Sequence, residues 1–235
     1  MSIAEKLTTI AENEQKVYET GKKDQYDEFW DVIQSNGNRT NYIGAFCLWD
    51  KSIFKPKYDI LPKDASHMFR NFKGEIDMVD YLDNLGITLD FSQCTTFTNF
   101  MLWSQITRMG VIDTRSATGI SFYVAYLLKT IDLLILKDDG TQSVNFQDCS
   151  SLENINIEGV IGKAWNMQWC PLSKDSIISV INALSETASK LTVTFKKTAI
   201  NNAFGINVDD ETTYPEGSEY YVLRNTKSNW TFSYV

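Results

Sequence analysis

Histidine is almost missing from this 235-residue chain: the one present is His67, in the run Ser66-His67-Met68-Phe69. A single imidazole excludes His-rich zinc sites and the HExxH proteases. It could still serve a Ser–His–Asp triad, but no GxSxG elbow accompanies it. Beside Met and Phe it reads as a packing or surface residue. Cysteine is sparse, with four residues at 47, 94, 149 and 170 and no CxxC pair, which excludes a zinc knuckle, a dithiol redox motif and a disulfide scaffold. Buried, reduced thiols are expected. Nor is there a GxGxxG. Gly159-Val-Ile-Gly162-Lys163-Ala164 lacks the spacing and the hydroxyl of a phosphate loop.

Long apolar runs are absent as well. The greasiest stretch, Ile120 to Leu136, is interrupted by Lys129 and Asp132, short of the ~18 uninterrupted residues a membrane span needs. MSIAEKLTTIAENEQ has no signal-peptide core, so a chain made in the cytoplasm without a leader, with no membrane insertion, is expected. Virion association is compatible with that expectation, and the sequons at Asn38 and Asn229 then read as chance. Basic charge is also in deficit, 22 Lys and Arg against 30 Asp and Glu, a formal −8. Nucleic acid is therefore not an expected partner. The one basic stretch, Arg39 to Lys73, is diluted by Asp50, Asp59 and Asp64 and reads as a solvated face. Asp209-Asp210-Glu211 with Glu216 and Glu219 has no EF-hand spacing and reads as an acidic loop. No metal, cofactor or catalytic residue is called, and a non-enzymatic protein is expected.

What is present is enough apolar residue, 43%, to build a core, and a pattern to arrange it. Residues 1–35 read as an N-terminal helical segment. Ser2 and Glu5 form a capping box, Ile3, Leu7, Ile10 and Val17 a heptad-like stripe, and Tyr26, Phe29, Trp30 and Ile33 a second face. This segment either docks on the adjoining domain or makes an oligomer. From residue 82 an apolar-x-x-apolar-x-apolar motif recurs, at Leu82/Leu85/Ile87, Ile106/Met109/Val111, Leu128/Ile131/Leu133 and Leu152/Ile155/Ile157. Its steps are 24, 22 and 24 residues, with weaker copies at Tyr58/Ile60 and Leu191/Val193. Periods of about 20–29 mark leucine-rich repeats, whose layers must stack because none covers its own apolar face. The fold class expected is α/β: a leucine-rich-repeat solenoid over 36–205, preceded by the helical segment and closed by a C-terminal cap over 206–235. Pro171-Leu172-Ser173 opens a helix bearing Ile177, Ile178, Ile181 and Leu184. Lys196 to Phe204 suggests a further helical turn. Tyr220 to Leu223 and Trp230 to Val235 read as strands.

In such a stack Leu85/Ile87, Met109/Val111, Ile131/Leu133 and Ile155/Ile157 point inward. Their neighbours Gly86, Thr88, Gly110, Ile112, Asp132, Leu134, Asn156 and Glu158 then point out. Between the repeats lie Trp103, Tyr123, Tyr126, Trp165 and Trp169, aromatics of the kind that dominate recognition surfaces or stack on sugar rings. Asn166 and Gln168 interleave with the last two, and these seven residues are the candidate binding set.

Several segments, among them SIAEKLTTIAENEQKVYETGKK at the start, LDFSQCTTF at 89–97, KTIDLLIL at 129–136, CPLSKDSIISVINALS at 170–185 and the ending AFGINVDDETTYPEGSEYYVLRNTKSNWTFSYV, carry a resemblance. They resemble the BspA-type leucine-rich-repeat proteins encoded in phages and prophages of gut bacteria. The resemblance implies a phage- or prophage-associated binding protein, recognising a protein or glycan in host recognition or on the virion. The alternative is an intracellular acidic inhibitor of a host defence or nucleic-acid-binding protein.

Overall fold

The computed structural model describes residues 59–72, 74–187 and 190–235, together with Thr9, Glu12 and Asn13. Thr9, Glu12 and Asn13 are helical, as expected of the N-terminal segment; the rest of that segment, most of the basic stretch and Cys47 lie outside the described residues.

Nine strands and four α-helices are present among them. Strands β1 (Ile76–Asp77), β2 (Ile106–Asp113), β4 (Thr130–Ile135) and β6 (Asn154–Glu158) form one parallel sheet in the order β1-β2-β4-β6. β3 (Gly119–Ser121) and β5 (Ser143–Asn145) make a second sheet. β7 (Trp165–Met167), β8 (Leu191–Phe195) and β9 (Trp230–Tyr234) make a third, also parallel. The helices are α1 (Met78–Leu85), α2 (Lys174–Ala183), α3 (Lys197–Phe204) and α4 (Glu219–Asn225).

This is a mixed α/β arrangement of three separate parallel sheets and four helices, and it overturns the expected leucine-rich-repeat solenoid. Three local causes are visible. Leu82 and Leu85 of the first motif copy lie in helix α1 rather than in a strand, and Ile87 follows its C-cap. Asp77 caps it by accepting from the Val79 and Asp80 amides, and Gly86, at φ 64, ends it in the left-handed conformation a side chain disfavours. Second, the strand burial does not alternate. Ile106, Met109 and Ile112, and likewise Leu128, Ile131 and Leu134, are buried at every third residue. Ile112 and Leu134, expected outside, are therefore core, and Val111, expected inside, is 53% exposed. The pairing register between β4 and β6 shifts between Ile131 and Leu134, as an irregularity in the pleat requires. Third, the ladder stops at β6. Ser176 and Ser179 of α2 accept from the Ile155 and Ile157 amides, each at 2.8 Å, so the strand's outer donors are taken by helix hydroxyls. Covering an edge in this way prevents a further strand from adding. The Leu191/Val193 copy lies in β8, in a different sheet.

The helices expected after Ser173 and over 196–204 form as α2 and α3. Tyr220 to Leu223, expected as a strand, lies in α4, where Tyr220 is buried against Tyr214 and Phe204. The alternation at Trp230 does form a strand, β9.

One continuous core joins the sheets, and an aromatic column runs through it. Phe69, Phe100, Phe122, Phe146 and Trp165 follow one another with centroid separations of 5.3, 6.1, 5.0 and 5.8 Å. The chain segments carrying them are tied amide to carbonyl: Phe69 to Phe100 at 3.0 Å, Phe100 to Ser121 at 3.1 Å, Phe122 to Asn145 at 2.9 Å. Each ring pair contributes about 0.5–1.5 kcal/mol beyond area burial.

Phe146→Ala opens a cavity in the middle of the column and is expected to cost about 3–5 kcal/mol in urea unfolding. Ser176→Ala leaves the Ile155 amide unpaired and is expected to cost about 1–3 kcal/mol. Val111→Ala, at an exposed position, should stay within about 0.5 kcal/mol.

Candidate functional site

The seven candidate residues divide by side of the chain. β7 alternates normally, so Trp165 and Met167 turn inward and Asn166 outward. Trp165 is only 2% exposed and ends the aromatic column, which removes it from any binding surface. Its pairing with Trp169 across one loop is thus broken: Trp169, beyond the strand, is 41% exposed. Asn166 is exposed, but its Oδ1 accepts from the Gln168 amide at 3.0 Å. Asn145 does the same for Gln147 at 2.9 Å. Both are turn-forming asparagines, a role that for Asn166 the sequence pattern read as a polar contact to ligand. Gln168 and Tyr123 are half-buried.

Trp103 and Tyr126 remain, 49% and 48% exposed. Trp103 sits at φ 58 in a turn whose amide donates to the Val124 carbonyl at 3.1 Å, which brings it beside the segment carrying Tyr126. The Arg70 guanidinium lies 5.7 Å from the Trp103 ring centroid, a cation–π contact that holds the indole in place. The structure therefore leaves Trp103, Tyr126 and Trp169 in solvent.

A depression of about 280 Å³, lined by Thr98, Asn99, Gly119, Ser121, Ser143 and Asn145, crosses β3, β5 and the segment before them. Its lining is neutral and mixes hydroxyl and amide groups with the apolar Phe97, Ile120 and Val144. Sequence reasoning missed it, although a signal exists. A short polar residue directly precedes each column phenylalanine in Asn99-Phe100, Ser121-Phe122 and Asn145-Phe146, so when the ring goes in, its neighbour comes out.

The outer row of the large sheet is polar, as expected at Asp132 and Asn156, but its charge is spoken for. Arg108 grips Asp132 through Nε and Nη2, each at 2.9 Å, and reaches Asp77 at 3.4 Å. Asn156 donates to the Asp132 carbonyl. This carboxylate pairing holds the Arg108 guanidinium still more firmly in its charged form. The acidic loop is similarly engaged. Asp209 pairs with Lys197 at 2.9 Å, and Asp210, held below the usual carboxylate range by hydrogen bonds from Thr212, caps a turn. Among the described residues no group of three His, Cys, Asp or Glu side chains could hold a metal ion. His67 is half-buried in a turn at φ 56. Gly159 is a packing residue, since a side chain there would collide with the Leu136 carbonyl. No described helix is long and apolar enough to cross a membrane.

Cys94, Cys149 and Cys170 are buried. Burial pushes the thiols of Cys94 and Cys149 up to about 11 and about 12, and that of Cys170 higher still. Neutral buried thiols are poor nucleophiles and poor ligands.

No family model, curated protein or solved structure matches this chain.

In a Cys47→Ser variant, a thiol reagent at neutral pH should modify none of the three remaining cysteines until denaturant is added, and then all three. Their ionisation also sets a sign for alkaline stability. The unfolded chain loses these protons from the ordinary 9.0 upward, while the folded chain holds two of them to about 11 and about 12. Stability is thus complete below pH 9 and falls as pH rises through that window, which urea midpoints at pH 7, 9 and 11 will read.

Proposed function

We propose that this chain is a non-catalytic binding module that holds a protein or glycan ligand at the surface bearing Trp103, Tyr126 and Trp169. The observation that carries the reading is the exposure of these three large aromatics while nine other large aromatic side chains among the described residues are completely buried. Exposed Trp and Tyr give large contact area at low entropic cost, and truncating one at the centre of an interface costs about 2 kcal/mol or more. The neutral hydroxyl- and amide-lined depression beside the column supports the same reading, because it offers hydrogen bonds without charge. The resemblance noted in the sequence supports a phage- or prophage-associated setting, with the ligand on the host surface or the virion.

A pull-down with the tagged chain against host envelope and host cytosol tests the reading. Retention on the envelope is expected, with a loss of about 30-fold or more in affinity for Trp103→Ala/Trp169→Ala, the equivalent of about 2 kcal/mol. Retention of one cytosolic protein, weakened by salt and unaffected by the double substitution, would replace this reading with the inhibitor.

A further inference from the structure

We infer that the outer face shared by the second and third sheets is a platform for an uncharged polysaccharide. This deepens the reading of the chain as a binding module and rests on it, naming the ligand as glycan rather than protein.

The five strands of these sheets alternate, so each sends one row into the core and one toward water. Ile120, Val144, Trp165, Val193 and Phe232 go inward. Outward go Gly119 and Ser121 of β3, paired in register with Ser143 and Asn145 of β5. β7 lies against β5, with Trp165 packed on Phe146 at 5.8 Å, and presents Asn166. Asn166 is opposite Thr194 of β8, and β9 sets Ser233 beside Thr194 and Thr231 beside Thr192. None of these nine outward residues is buried and none is charged. The outer row of the large sheet, by contrast, carries Arg108 and Asp132.

What the face lacks narrows the ligand. Nucleic acid or another anionic polymer needs Lys or Arg to meet its charge. A protein interface draws its affinity from a desolvated apolar or aromatic centre and is depleted in serine. A neutral, hydroxyl-dense chain remains. Ser and Thr hydroxyls both donate and accept, and Asn offers an amide, so these side chains meet a sugar hydroxyl in either sense. Neighbouring strands repeat that chemistry about every 4.8 Å, which gives a polymer laid across them a contact at each strand. Asn145 and Asn166 accept turn amides through Oδ1, and their Nδ2 donors are left for ligand. Gly119 keeps the face low, since a Cβ there would meet the Ser143 Oγ at 2.6 Å, and the depression of about 280 Å³ includes it. Trp169, 41% exposed in the turn that leaves β7, supplies an indole to cover the apolar side of a sugar ring.

The test uses the full-length chain and host-envelope polysaccharide, freed of protein by protease and split by anion exchange into uncharged and anionic fractions. Asn145→Asp/Asn166→Asp keeps each turn-capping Oδ1, removes both Nδ2 donors and brings two negative charges. The unaltered chain is expected to bind the uncharged fraction, insensitively to salt. The double variant should bind it about tenfold or more weakly at an unchanged urea midpoint. Thr194→Val/Thr231→Val, which keeps shape and strand propensity, should weaken binding as well and serves if the first pair unfolds. Binding to the anionic fraction alone, or equal binding by the unaltered chain and both variants, would overturn the inference. Envelope retention that protease destroys, but that Trp103→Ala/Trp169→Ala still weakens, would overturn it too, leaving the aromatic surface with a protein ligand. No retention on any envelope material overturns both readings.

Discussion

The fold depends on a column of aromatic rings placed one to a layer. Phe69, Phe100, Phe122, Phe146 and Trp165 meet in edge-to-face, stacked or tilted contacts, and the backbone must return to the column each time it completes a layer. From Phe100 to Phe122 to Phe146 the return takes 22 and 24 residues. The strands β2, β4 and β6 recur on the same count, because one layer carries both features. Sheet pairing alone would tolerate slippage. A ring that must meet the next ring sets the register of everything attached to it.

Where that column ends, the layering changes. Beyond Trp165 the chain spends its residues on α2, whose serines take the edge donors of β6, and the third sheet is built from strands far apart in sequence. The apolar-x-x-apolar-x-apolar motif predicted uniform continuation, because a motif states which residues are apolar but not which hydrogen-bond donors remain open. The same limit explains α1. Leu82, Leu85 and Ile87 satisfy the strand motif, but Asp77 and Gly86 supply caps at both ends of a helix, and eight capped residues outweigh three apolar positions.

The candidate site was legible in part. Trp103, Tyr126 and Trp169 were correctly separated from the repeats as residues outside the strand positions. Trp165 resembled them in sequence, since it too is an aromatic between motifs. It differs in falling on the inward phase of a three-residue strand too short to announce its own alternation. Asn166 misled for the opposite reason: an asparagine that closes a turn on the amide two residues ahead looks the same in sequence as one free to bind. Arg70 was hidden altogether, because its partner Trp103 is thirty-three positions away and only the stacking of layers brings them together.

Composition and spacing by themselves determined that the chain has a core, that its thiols at 94, 149 and 170 are buried, and that an apolar motif recurs along it. These follow from transfer free energy and chain periodicity, both local properties. Only the tertiary structure decided that the layers divide among three sheets, that burial in β2 and β4 falls on every third residue, and which aromatics face water. Those outcomes depend on register, on which edge donors a neighbouring helix satisfies, and on ring-to-ring contact between residues far apart along the chain. Such contacts have no signature within any one segment.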